Sequence, residues 1–171
     1  MKTLKTLLSA FALVAFFSAG ALAQATINAN ADVVTALTVT ADQDLNFGSI
    51  IDGNSEQITL ADANNSTLGK FDITGVSTGV GIDLTLDGPL VLTGGGDDLP
   101  LTLTAGYATS ESGTEADGNT WTLTDNDGST SITSTTASTY YVYVGGTADA
   151  SGAGSYSGSY TGDVTLTVNY N

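Results

Sequence analysis

The chain contains no cysteine, no histidine and no arginine, and it carries three lysines against eighteen acidic residues. Each absence removes a class of chemistry. Without cysteine there is no disulfide, so stability must come from sheet hydrogen bonding, apolar burial or a neighbouring molecule. Without histidine and cysteine the usual nucleophile–base pairs have no members. A cationic clamp on phosphate is missing as well, because Lys2 and Lys5 stand at the extreme N-terminus and only Lys70 lies beyond. A surface this acidic repels nucleic-acid backbones and acidic lipid headgroups. The same charge favours solubility, and salt screens its self-repulsion.

Long apolar runs are also scarce, with one at the front. Lys2 and Lys5 precede the stretch Leu7 to Phe17, and the small residues Ala21 to Ala23 follow. A charged start, a short apolar centre and a small-residue site form the layout of a cleaved secretory signal. The run is too short to span a bilayer comfortably. The expected organisation is a signal peptide over residues 1–23 and a single domain over residues 24–171. All eighteen acids then face Lys70 alone in an exported chain, with no membrane insertion of the mature protein.

What remains is rich in short alternating runs with turn residues between them. Val164, Leu166, Val168 and Tyr170 alternate with Thr165, Thr167 and Asn169 at the C-terminus. The same period of two recurs at Leu45 and Phe47, Ile58 and Leu60, and Phe71 and Ile73. It continues through Val80 to Leu86, Leu99 to Tyr107, Trp121 and Leu123, and Tyr140 to Val144. Period-two runs bounded by Gly, Asp, Asn and Ser predict strands, and many of them predict an antiparallel β-sandwich. Leu45, Phe47, Ile73, Ile82, Leu84, Leu103, Trp121, Val142, Val164, Leu166 and Val168 are expected to face its core. The longest alternation is the first: Ala25, Ile27, Ala29, Ala31, Val33, Leu37 and Val39 share one parity, interrupted by the polar Thr35. "TGGGDD" (93–98), "SESGTEADGN" (110–119) and "GGTADASGAGSYSGSY" (145–160) read as turns and loops, the last a flexible approach to the final strand.

Two stretches invite a metal reading. Asp42, Asp44 and Asn46 alternate like the first ligands of an EF-hand loop, but Gly48 is one place late and Gly53 occupies the position of the closing glutamate. "DNDG" at 125–128 carries calcium-type ligands and equally reads as a hairpin turn with Asp-Gly supplying positive φ. The turn is the stronger reading, so neither a metal nor another cofactor is expected. Two carboxylates would serve a glycosidase, but eighteen acids make chance pairs unavoidable, and the residue inventory points away from an enzyme.

"LTVTADQDLNFGSI" (37–50) resembles the front of the secreted bacterial family known as domain of unknown function 4402, and "GSYTGDVTLTVNYN" (158–171) resembles its last strand. The same ends are similar to subunits of archaic chaperone–usher pili and to spore-coat U proteins. There a Leu-x-Phe-Gly stretch, here Leu45 to Gly48, precedes a final strand with a penultimate aromatic, here Tyr170. Many such pilins carry a disulfide, which this chain lacks. The resemblance implies an immunoglobulin-like antiparallel sandwich missing one strand, completed first by a periplasmic chaperone and then by the N-terminal extension of a related or identical subunit. On this chain it implies a donor strand at residues 24–33 with Ala25, Ile27, Ala29, Ala31 and Val33 in register. The groove edge would be the strand carrying Val164, Leu166, Val168 and Tyr170. The expected function is a non-enzymatic fimbrial-type surface subunit that crosses the periplasm to the cell surface. The rival is a self-complete secreted sandwich binding glycan or calcium, in which Ile27 and Val33 belong to the domain's own core.

Overall fold

The computed structural model describes residues 25–61 and 66–171, so the signal-peptide expectation for residues 1–23 lies outside it. The chain divides into two compact units, Met1–Val33 and Val34–Asn171. Of the first, residues 25–33 are described. They carry no regular secondary structure, and Ile27 and Val33 are 94% and 96% exposed.

The second unit is almost entirely β, as the alternating runs predict. Its elements are β1 (Thr38–Gln43), β2 (Ser55–Ile58), β3 (Gly69–Thr74), β4 (Ile82–Asp87), β5 (Val91–Gly94) and β6 (Leu99–Ala108). There follow α1 (Gly113–Asp117), β7 (Thr120–Trp121), β8 (Asp127–Ile132), β9 (Thr139–Asp149), β10 (Tyr160–Thr161) and β11 (Thr165–Tyr170). All recorded strand pairs are antiparallel. The larger sheet runs β1-β3-β9-β6-β5-β10, with β2 paired to β9 and β7 to β6. The smaller runs β11-β4-β8.

Alternation decides which side chains meet between the sheets. Leu101, Leu103 and Ala105 of β6, Val142 and Val144 of β9, Ile73 of β3, and Ile82, Leu84 and Leu86 of β4 form one buried cluster with Leu166 of β11. Burying a Leu, Ile or Val side chain is worth about 1.5–3 kcal/mol. The other face of the larger sheet carries a smaller cluster. Tyr143, opposite in parity to Val142 and Val144, packs there with Ile58, Leu60, Leu68, Ala108 and Ala116.

Of the expected core residues, Ile73, Ile82, Leu84, Leu103, Val142 and Leu166 are buried. Leu45, Phe47, Trp121, Val164 and Val168 are only half-buried. Four regions differ from the sequence reading. The first alternation becomes a strand only from Thr38, and Leu45 and Phe47 lie beyond the end of β1 in irregular chain. "SESGTEADGN" holds α1, capped by Ser112, whose hydroxyl accepts from the Glu115 N–H at 3.2 Å. The 125–128 turn is centred one step early. Asp125 and Asn126 take φ of 53° and 63°, while Thr124 and Asp127 exchange main-chain hydrogen bonds. Buried Asn126 then ties three segments together: its Oδ1 accepts from Leu103 N–H, and its Nδ2 donates to the carbonyls of Pro89 and Leu101. The "GSYSGSY" stretch is shaped, too. It contributes to β10, and Gly94 lets the chain approach so closely that an added Cβ would sit 2.0 Å from the Ser159 carbonyl.

Candidate functional site: an open groove beside the last strand

The C-terminal strand is held firmly on one side. Leu166 lies opposite Leu86, Val168 opposite Leu84, and Tyr170 opposite Ile82. Asn171 N–H donates to the Gly81 carbonyl at 3.1 Å. Its side-chain amide donates to Asp83, which also accepts from Ser131 Oγ at 2.6 Å. The Ser131 hydroxyl, then the Asn171 amide, hold the Asp83 carboxyl below its usual pKa. These bonds keep the chain end from fraying.

The other side of β11 is open: among the described residues no strand pairs with it. Bonding groups alternate along an antiparallel ladder. Because Asn171 bonds to Gly81, the odd-numbered residues of β11 serve the β4 ladder. The main-chain N–H and C=O groups of Leu166, Val168 and Tyr170 therefore point to the unpaired edge. The side chains of these same residues turn toward the core.

Across the gap stands β1, the edge of the larger sheet. Val39 lies opposite Ile73, and Ala41 opposite Phe71. Directly opposed residues share a face of the sheet, so Val39 and Ala41 face the interior. Yet Val39 is 36% exposed where Ile73 is fully buried. An inward-facing side chain in contact with water means that the layer above it is missing.

At one end this space widens into a cleft of about 790 Å³, between loop 44–50 and the chain from Tyr156 to Val164. Leu45, Phe47, Phe71, Leu92 and Val164 are among its apolar lining, all half-buried. At the other end it is closed. Tyr170 Oη accepts from Ser77 N–H at 2.9 Å and donates to the Gly75 carbonyl at 3.1 Å. Thr35 N–H donates to Ser77 Oγ at 2.8 Å, its hydroxyl donates to the Gly75 carbonyl, and its Oγ1 lies 3.5 Å from Tyr170 Oη. Gly75, at φ 76°, admits the Ala36 carbonyl where a Cβ would come within 2.3 Å. Thr35, the polar interruption in the first apolar alternation, is thus part of the clamp that closes the groove.

The four expected groove-edge residues Val164, Leu166, Val168 and Tyr170 lie together along β11 or at its start. The cleft lining from Phe71, Leu92 and the 156–163 loop was missed, because alternation reports which way a side chain faces and not what covers it. Two of the residues at 42–46 that suggested calcium have other partners. Asp42 pairs with Lys70 at 2.8 Å, and Asn46 Oδ1 accepts from Gly48 N–H at 2.8 Å. Among the described residues no group of three or more acids is placed to hold a metal ion. Lys70 also pairs with Asp72 and Glu111, at 3.6 and 3.4 Å, and lies over the Tyr141 ring. The Asp42 carboxylate, foremost among its partners, raises the Lys70 pKa well above its usual value.

No curated protein matches the chain. A chain in a solved structure, from work on the chaperone–tip adhesin complex in CFA/I fimbriae biogenesis, is similar at a TM-score of 0.45 with 11% identity. The match covers 79% of this chain and 42% of that one. The family model described as Domain of unknown function (DUF4402) matches residues 37–170. That span takes in β1 through β11, with Thr35 of the clamp just before it, and the chain belongs to this family.

Proposed function

We propose that this protein is a non-enzymatic structural subunit of the cell surface, of fimbrial type, assembled by β-strand complementation. Residues 25–33 of one copy lie in the groove of another, after export through the periplasm, where a chaperone strand occupies the groove first. The observation that carries the reading is the unfinished interior between β1 and β11: Val39 is inward and exposed, and β11 offers an unpaired edge. The occupant is argued from the same chain. Ala25, Ile27, Ala29, Ala31 and Val33 alternate with polar residues, and Ile27 and Val33 are almost fully exposed. A nine-residue extended segment reaches about 30 Å, enough to run the length of β11. Strand addition gains main-chain bonds to the free edge and pockets for alternate side chains.

Ile27 and Val33 are the anchors, each worth about 1.5–3 kcal/mol when buried, and the alanines allow close approach. The test compares wild type with Ile27→Asp, both exported and processed. Wild type forms heat-labile multimers on native gels and filaments by negative-stain microscopy. The substitution places a carboxylate against apolar lining and abolishes both, while the monomer keeps its melting temperature. A wild type that stays monomeric at high concentration, together with an unfolded Ile27→Asp, refutes the proposal.

A further inference from the structure

The chain from Tyr156 to Asp163, which includes most of "GSYSGSY" (154–160), forms one wall of the cleft, and loop 44–50 forms the other. We infer that this cleft binds a sugar residue carrying no negative charge, with the Tyr156 ring against its C–H face and the Asp44 and Asp163 carboxylates on its hydroxyls. The inference is independent of strand addition, because both walls belong to a single copy.

Each wall is tied to neighbouring chain. In loop 44–50, Asn46 N–H donates to the Thr67 carbonyl at 2.9 Å, and Gly48 N–H donates to Asn46 Oδ1 at 2.8 Å. The other wall is fastened to residues 93–97. Tyr160 pairs with Gly94, Asp97 N–H donates to the Ser155 carbonyl at 3.2 Å, and Ser155 N–H donates to Asp97 Oδ2 at 2.8 Å. Ser157 N–H donates to Tyr160 Oη at 3.1 Å and folds the stretch on itself. Glycines make room for the rings. A Cβ on Gly154 would lie 2.6 Å from Tyr156 Cζ, and one on Gly96 would lie 2.7 Å from Tyr160 Oη. Both rings pack against the buried Leu99, Ala148 and Ala150. A cleft held in this way is formed before any ligand arrives.

Volume, charge and residue type narrow the occupant. About 790 Å³ is the size of a small-molecule site and far too small for the face of a protein. No lining residue is basic and two are acidic, so phosphate, sulfate and carboxylate ligands are repelled. The Asp44 and Asp163 carboxylates have no partner among the described residues, which leaves both to accept from a ligand. A wholly apolar ligand would strip water from these carboxylates and from the hydroxyls of Ser157, Ser159 and Thr161 without replacing it. A sugar answers both demands. It carries hydroxyls on its rim and C–H groups on its ring face, and the face of an aromatic ring is electron-rich and attracts polarised C–H groups. Tyrosine, serine and glycine also suit a recognition loop. Tyrosine supplies rigid, amphipathic contact area at small entropic cost, and serine and glycine supply adaptable hydrogen bonding. The repeated Gly, Ser and Tyr of residues 154–160 thereby acquire a use beyond joining β9 to β11.

The processed protein is passed over an immobilised panel of uncharged, amine-bearing, and uronate- or sulfate-bearing oligosaccharides, and the tightest binder is taken to calorimetry. Uncharged or amine-bearing members should be retained and the anionic ones should not. Tyr156→Ala should weaken binding at least about tenfold, as loss of a tyrosine anchor does. Asp163→Asn keeps the shape of the side chain, removes its charge and should weaken binding severalfold. Both variants should keep the wild-type melting temperature, since Tyr156 is half-buried and Asp163 is exposed. Retention of no sugar by wild type, equal retention of anionic sugars, or wild-type affinity in either variant overturns the inference. The neutral apolar dye N-phenylnaphthylamine tests the rival occupant. Dye fluorescence that Tyr156→Ala abolishes and no sugar displaces makes the cleft an apolar site and overturns the inference as well. Multimers are scored on the same samples, so that an absence of sugar binding with multimers intact counts against the cleft alone.

Discussion

The three-stranded sheet has two edges, β8 and β11, each paired only with β4 among the described residues, and they differ in what packs around them. Beside β8 the preceding chain lies so close that a Cβ on Gly128 would sit 2.5 Å from the Thr122 carbonyl, with Leu123 against it. Beside β11 no described strand lies in the sheet plane. The packing beneath follows the same division. Leu84 and Leu86 of β4 are fully buried, whereas Val168, the cross-strand partner of Leu84, is half-buried. In the larger sheet the fully buried Ile73 faces the exposed Val39. Sheet edges are usually blunted, because an open one pairs with other chains. On the strand-addition proposal it is the β11 edge that another chain would use.

That division is best broken at Ile73 and Val39, which differ in cover and share a face. Ile73→Ala should lower unfolding stability by about 2–5 kcal/mol, as core truncations do. Val39→Ala should cost the isolated domain under about 0.5 kcal/mol, within the range of surface changes, yet weaken assembly. Urea melts of monomer and native gels of polymer, run side by side, read the two effects. Equal losses of stability would mean that the β1 side is as complete as the β4 side.

A smaller effect is expected at the clamped end of the groove between β1 and β11. Tyr170→Phe removes the hydroxyl that joins Ser77 N–H to the Gly75 carbonyl and should lower the melting temperature by less than Ile73→Ala does. Hydrogen exchange should quicken at the Ser77 amide first and leave the Leu103 amide, bonded to Asn126, unchanged. Uniform quickening would mean that the clamp is not a local device.

The least effect, and one belonging to neither edge, is acid sensitivity at Glu115. Its carboxylate accepts from the hydroxyl and N–H of both Ser110 and Thr109. These bonds, the Ser110 hydroxyl first, pull its pKa from 4.5 down to about 2. A lowered folded-state pKa gives stability that is full above 4.5 and is lost as pH falls from there toward 2. Glu115→Gln should melt lower than wild type at neutral pH and show a flatter fall between those limits. Parallel curves for the two proteins would assign the acid limb to other carboxylates.

Much of this was legible in the sequence, for a physical reason. Alternation records which side of a sheet a residue takes, so Ile73, Ile82, Leu84, Leu103, Val142 and Leu166 were assigned to the core and are buried. It does not record whether a second layer lies above. Leu45, Phe47, Val164 and Val168 were assigned in the same way; they pack against that core yet stay half-buried, and the first three also line the open cleft. Trp121, on the short β7, is half-buried without being part of that lining. The helix at Gly113–Asp117 left a local sign, the Ser112-x-x-Glu115 spacing of a capping box, hidden by the glycines and acids around it. Thr35 looked like a flaw in an apolar run, because its partners at Gly75, Ser77 and Tyr170 are distant in sequence.

Lys70 has a consequence at the bench. Beyond Lys5 it is the only residue after which trypsin cuts, and it lies within β3 with its ammonium engaged by Asp42, Asp72 and Glu111. The folded unit should pass through trypsin intact, and full digestion of the unfolded chain should leave everything from Phe71 to Asn171 as one long, acidic fragment. Beyond Lys5 the protein should therefore be nearly silent in tryptic mass spectrometry. Beyond Lys5, amine-directed stains and fixatives would find one lysine side chain, Lys70, and it is guarded. Detecting the protein in a proteome needs a protease that cuts at acidic or aromatic residues.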